Sequence, residues 1–180
     1  MHRATVIITL LLCLICAAPA PTQTIPTVKA KAIDDSDVTL PNPASQQILI
    51  LIVGFSKKSG EICQLWTKRI SHEMLEDPRV DYYQIAHLEG APKLMRPVIL
   101  HGMRGALTPQ EQSHFIPLYD HVDVWKTLVN FTAPDDAYLI VADPAGHIVW
   151  QVHGVFSESI YADLKKTVTS LFQKPSATSK

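Results

Sequence analysis

The residues whose types and spacing could do chemistry gather in one stretch, Ser56-Lys57-Lys58-Ser59-Gly60-Glu61-Ile62-Cys63. A thiol in the first turns of a helix can act as a nucleophile, because the positive end of the helix dipole favours its thiolate. Two lysines beside free helix-start amides can also draw in an anion. Both features have plainer readings. Free cysteine is among the most buried residue types, and a lysine pair in a loop is ordinarily solvated.

Other candidates are scattered. The sequence has eight histidines. Apart from His2 they are His72, His87, His101, His114, His121, His147 and His153, and no pair has close metal-ligand spacing on one expected helix. His147 and His153 lie an even number apart on one expected strand, hence on one face. Asn130-Phe131-Thr132 matches a glycosylation sequon. No serine-histidine-acid arrangement or phosphate loop stands out, and neither a metal site nor a cofactor is expected. With a net charge of −1 over 180 residues, no nucleic-acid footprint is visible.

The elements that must position Cys63 are legible around it. Ile48 to Phe55 is a continuous apolar run rich in β-branched residues, the pattern of a strand buried on both faces. A polar loop, Ser56 to Ser59, follows. Apolar residues then recur at helical spacing: Ile62, Leu65, Trp66, Ile70 and Met74. Cys63 shares the stripe of Trp66 and Ile70 and is expected to be buried there. Upstream, Val38-Thr39-Leu40-Pro41 reads as a short edge strand.

Downstream, Val80 to Leu88 reads as a second core strand. The stretch Lys93–Asn130 reads as helical: Leu94, Met95, Val98, Ile99, Leu100 and Met103 suit an amphipathic helix with Pro97 in its first turn. Thr108-Pro109-Gln110-Glu111 is a capped helix start, soon interrupted by Pro117. Val122 to Val129 reads as another short helix. Ala137 to Ala142 is an apolar strand, Asp143-Pro144-Ala145-Gly146 a turn, and His147 to Val155 the returning strand of a hairpin. Ser157 then caps a helix carrying Ile160, Leu164, Val168 and Leu171 on one face.

The amino terminus reads as an address. His2 and Arg3 precede an apolar stretch, Ala4 to Ala18, and Ala18-Pro19-Ala20 resembles a cleavage site. Residues 1–20 are thus expected to be a signal peptide cleaved between Ala18 and Pro21, giving a secreted or periplasmic protein. The alternative is an uncleaved membrane anchor. Of three cysteines, Cys13 and Cys16 have dithiol spacing but lie in the part expected to be removed, which leaves Cys63 alone. Residues 21–37 read as a linker, 38–173 as the domain and 174–180 as a disordered tail.

The order β-α-β-α-β-β-α, with Thr39-Leu40-Pro41 ahead of it and the hairpin Asp143-Pro144-Ala145-Gly146-His147-Ile148-Val149-Trp150 near its end, resembles the thioredoxin-like superfamily. The similarity is to its exported TlpA-like and peroxiredoxin-like branches and spans roughly Val38 to Phe172. The resemblance implies an α/β fold, a three-layer sandwich with a central mixed sheet flanked by helices. It also implies a dithiol at the helix start and a cis-proline before the third core strand, at Pro134 or at the position of Ala137. Gly60 stands where the attacking cysteine should be, Cys63 where the resolving one should be, and Ser59 where a tryptophan is usual. A peroxiredoxin would need threonine or serine where Gly60 stands. Val129-Asn130-Phe131, Tyr138-Leu139-Ile140-Val141 and Ile148-Val149-Trp150 are also similar to the thioredoxin-like mitochondrial ATP synthase assembly factor, which lacks the dithiol, although a secretory signal argues against a mitochondrial address.

The resemblance implies two classes of function. In one, the chain is an exported module without redox chemistry that binds another exported or membrane protein, as a chaperone or assembly factor. Its surface would be Ser56, Lys57, Lys58, Ser59, Gly60, Pro134 and Ala137. In the other, it is a single-cysteine thiol oxidoreductase or peroxidase using Cys63.

Overall fold

A computed structural model of the protein describes residues 23–173. The expected signal peptide and carboxyl-terminal tail lie outside them. The elements run β1 (Val28–Lys31), β2 (Asp37–Leu40), β3 (Ile48–Gly54), α1 (Lys57–Met74), β4 (Val80–His87), α2 (Arg96–Ala106), α3 (Pro109–Ser113), β5 (Phe115–Leu118), α4 (Val122–Leu128), β6 (Ala137–Ala142), β7 (Ile148–Gly154) and α5 (Glu158–Gln173).

The main sheet has the order β5-β4-β3-β6-β7. β3 and β4 are parallel from Ile48↔Val80 to Gly54↔Ala86, and β5 is parallel to β4. β6 runs antiparallel to β3 and to β7. The expected mixed sheet with a terminal hairpin is therefore present. The four-residue turn Asp143–Gly146 permits only an antiparallel return, whereas β3 and β4 need the helical crossover α1. Every residue of β3 and β6 is buried, as central strands between two covered faces require.

Alternation splits the core. On one face Ile50, Ile52, Leu139 and Val141 meet Cys63, Trp66 and Ile70 of α1 and Leu164 and Val168 of α5. On the other, Leu51, Val53, Ile85 and Ile140 meet Trp125 and Leu128 of α4 together with Val38 and Leu40 of β2. One flank is thus partly a β-ribbon rather than helices alone.

Four local expectations are corrected. Residues 21–37, read as a linker, contain β1, which pairs antiparallel with β2. Ile25, Ala32 and Ile33 are buried, and the Ile33 amide donates to the Phe115 carbonyl at 2.8 Å. The segment lacks periodicity because it binds by a few anchors across an edge. Pro117 does not interrupt a helix but sits in β5, an edge strand, where a missing N–H is tolerated. Ser56–Ser59 is not a loop: α1 begins at Lys57. Leu65, expected on the buried stripe, is exposed.

Candidate functional site

The carboxyl end of β3 and the start of α1 are fastened by two serines. Ser56 is the N-cap, its Oγ accepting from the Ser59 amide at 3.0 Å. Ser59 Oγ accepts from the Phe55 and Ser56 amides, both at 2.8 Å, and donates to the Ser56 carbonyl at 2.9 Å. This reciprocal cap draws the helix start against the strand. Gly54 suits that closeness, since a Cβ there would lie 3.0 Å from Ser59 Oγ and 3.1 Å from Cys63 Sγ and would push on both.

The loop before β6 closes on the same junction. Ser56 Oγ donates to Asp135 Oδ1 at 3.0 Å, and Lys58 Nζ lies 3.4 Å from Asp135 Oδ2. Tyr138 holds that loop from beneath: its hydroxyl accepts from the Thr132 and Ala133 amides and donates to the Ala133 carbonyl. The cis peptide among the described residues is Leu40–Pro41. It is neither at Pro134 nor at Ala137, and the expected cis-proline position is thereby corrected.

Cys63 is fully buried, as its place in the Trp66–Ile70 stripe requires. Burial pushes its thiol up to about 12, because a thiolate loses its hydration there. The helix start does not offset this. Gly60, one turn nearer the amino terminus, is half-buried, and a Cβ there would meet nothing within 4 Å.

Of the other expected surface residues, Lys57, Lys58 and Pro134 are exposed and Ser56 is half-buried. Ser59 and Ala137 are fully buried. They cannot touch a partner: Ser59 turns inward to cap the backbone, and Ala137 begins a strand covered on both faces. His147 and His153 do not converge. His147 Nδ1 lies 3.1 Å from Asp143 Oδ2, and His153 Nδ1 lies 2.7 Å from Asp136 Oδ2. Among the described residues no group of three or more potential metal-ligating side chains gathers, and no helix is long and apolar enough to cross a membrane.

Beyond the junction, between the start of α1, the carboxyl end of β4 and α2, lies a cavity of about 660 Å³. Sequence reasoning missed it, together with His87 in its wall and Asp135 across the junction. The signal for His87 was available. Tyr83, Ile85 and His87 alternate along β4, so His87 had to share the inward face of Ile85.

This sheet, with two parallel central strands, a returning hairpin and a helix start aimed past β3, is shared with solved structures. The fold is thioredoxin-like. The thioredoxin domain of a thiol-disulfide oxidoreductase from Bacteroides vulgatus aligns with a TM-score of 0.57 at 12% identity, covering 84% of this chain and 99% of that one. The exposed lipoprotein thioredoxin of Streptococcus pneumoniae aligns with a TM-score of 0.57 at 14% identity, over 78% and 99%. A member of the Sco family of cytochrome c oxidase assembly proteins aligns with a TM-score of 0.52 at 12% identity, over 83% and 95%. No protein-family model and no curated protein matches the chain. At these identities the likeness is one of fold, and the chemistry must be argued from the site itself.

Proposed function

We propose that the chain is an exported thioredoxin-like module without dithiol chemistry, which binds another exported or membrane protein as a chaperone or assembly factor. The observation that carries the reading is the state of Cys63. It is the only cysteine among the described residues, fully buried, and its thiol is pushed up to about 12. The position one turn earlier, where a dithiol enzyme needs its nucleophile, is Gly60. Attack requires an accessible thiolate, and this junction supplies none.

The docking face would be the exposed rim of the junction: Lys57, Lys58, Gly60 and Pro134. Asp135 fixes the loop that carries Pro134 against Ser56 and Lys58, so the rim is presented ready-made and pays little ordering entropy on binding. A fold neighbour named as an assembly protein supports such use of the scaffold. The competing reading, one-thiol chemistry at Cys63, draws on the cavity that this residue helps to line.

The test places a photo-crosslinking residue at Gly60, where side-chain space is open, and at Lys166 on the exposed side of α5 as a control. The same partner should be captured in the native exported fraction from position 60 and not from 166, and equally after Cys63→Ala. Loss of capture in a folded Cys63→Ala variant, or disulfide reduction by the purified protein, overturns the reading.

A further inference from the structure

His114 stands between α3 and β5, and both of its ring nitrogens face acceptors. Nδ1 lies 2.8 Å from the Gln110 carbonyl and 2.9 Å from Ser113 Oγ. The carbonyl can only accept, and the Ser113 hydroxyl proton is committed to that same carbonyl at 2.9 Å. Nδ1 is therefore a donor. Nε2 lies 3.4 Å from Asp81 Oδ1, and the two side chains are only 18% and 22% exposed. A carboxylate is also acceptor-only, so a neutral ring would turn an Nε2 lone pair against it. Full pairing needs a proton on each nitrogen.

The ring is also clamped by packing. It stacks on Tyr82 with centroids 4.7 Å apart and planes 13° apart, and lies 5.5 Å from the Tyr83 ring. Burial raises both tyrosines, so they stay neutral. Around the ring stand Asp81 of β4, Asp34 of the turn between β1 and β2, and Glu111 of α3, whose carboxylate accepts from the Thr108 amide and hydroxyl. Burial opposes a proton on His114, but Asp81, the Gln110 carbonyl and Asp34 outweigh it and raise the ring above its ordinary 6.5. The contact is therefore complete at and below pH 6.5 and is lost as pH rises through the raised value.

More than one side chain hangs on this contact. The His114 carbonyl accepts from the Gln84 amide at 2.8 Å, where the pairing of β4 with β5 begins. Two residues earlier, Gln112 Nε2 donates to the Arg104 and Leu107 carbonyls at 3.1 Å each, which ties α3 to the end of α2. α2 buries no residue fully, and Arg104 donates to the Ile33 carbonyl. The wall formed by α2 and α3 thus rests on polar ties more than on core contact, and such segments open at low cost. We propose that His114 is a pH-operated latch on this wall. Doubly protonated, it fastens α3 to Asp81 of β4. On losing its Nε2 proton to water it releases α3 and the end of α2, while the five-stranded sheet stays folded. The latch stands apart from the partner-binding reading and does not involve Cys63.

The test uses the purified chain alone, so it does not depend on any partner. NMR titration of the His114 ring should give a pKa above 6.5 in wild type and a lower one in Asp81→Asn. That variant keeps an acceptor for the Tyr82 amide, which Asp81 Oδ1 now receives. Amide exchange, corrected for its intrinsic pH dependence, should quicken about tenfold in residues 104–114 between pH 6 and pH 9, the worth of one charge-assisted hydrogen bond. Those residues should also exchange ahead of β3 and β6 at every pH, which marks a local opening. His114→Phe keeps the stack on Tyr82 and should exchange fast in 104–114 with no response to pH over that range. Should that variant fail to fold, Asp81→Asn asks the same question and should show a smaller pH response than wild type. A wild-type ring pKa at or below 6.5, exchange in 104–114 that ignores pH or matches the sheet, or an undiminished pH response in Asp81→Asn would each overturn the proposal.

Discussion

The two sides of the α1 start are built on opposite plans. On the side facing β6, every polar group named above is matched: Ser56 and Ser59 cap each other, and Asp135 reaches across to Ser56 and Lys58. There is little slack: a Cβ at Gly54 would crowd Ser59 Oγ and Cys63 Sγ at 3.0 and 3.1 Å. On the side facing α2 the walls stand apart, and Gly60 and Gly102 face open space. The tight side is filled with structural hydrogen bonds, and the open volume lies on the loose one. A helix start can therefore be closed on one side and open on the other.

The largest expected effect comes from the buried histidine packed on Phe55 beside the junction. His87 is held neutral when folded, at about 4 against an ordinary 6.5, by burial and the Lys126 charge against the opposing pull of Asp120. Its stabilisation is complete above about pH 6.5 and is lost as pH falls toward 4, by up to about 3 kcal/mol. His114 works the other way. Burial opposes its proton, but Asp81 and the Gln110 carbonyl outweigh burial and raise it, so its contribution fades as pH rises. Urea unfolding of wild type and His87→Phe from pH 7 to 4 separates the two. The variant should lose less stability on acidification, and parallel profiles would show that His87 is not desolvated.

On the tight side, Gly54→Val should overpack Ser59 and Cys63 and cost about 1–3 kcal/mol, measurable as a lower urea midpoint with an unchanged slope. A neutral outcome would mean that the junction has slack after all. A smaller loss, about 1 kcal/mol, is expected for Ser56→Ala, which removes the cap. It also frees Asp135, so amide exchange should quicken in the loop 132–136 as well as in the first turn of α1. Exchange confined to the helix would break the claimed link between the two.

Much of this was legible in the sequence. β3 and β6 announced themselves as unbroken apolar runs, and the stripe Cys63-Trp66-Ile70 gave the inner face of α1. The thioredoxin-like order followed from those elements and the Asp143–Gly146 turn. What stayed hidden had non-local causes. β1 is held by pairing with β2 and by anchors on β5, so its own composition carries no period. β5 was masked by Pro117, which an edge strand admits. Asp135 contacts Ser56 across 79 positions. The cavity exists because α2 is tied by Arg104 and Gln112 rather than packed, and hydrophobic spacing cannot distinguish a helix that closes on a sheet from one that stands off it.

The central claim is that the junction holds no reactive thiol, and alkylation of Cys63 tests it most directly. In native protein at pH 8, iodoacetamide should label Cys63 far more slowly than in urea-unfolded protein, because the folded thiol is buried and pushed up to about 12. The native rate should rise only under conditions that open the fold. Equal labelling rates in native and unfolded protein would contradict the account and restore Cys63 as a functional nucleophile.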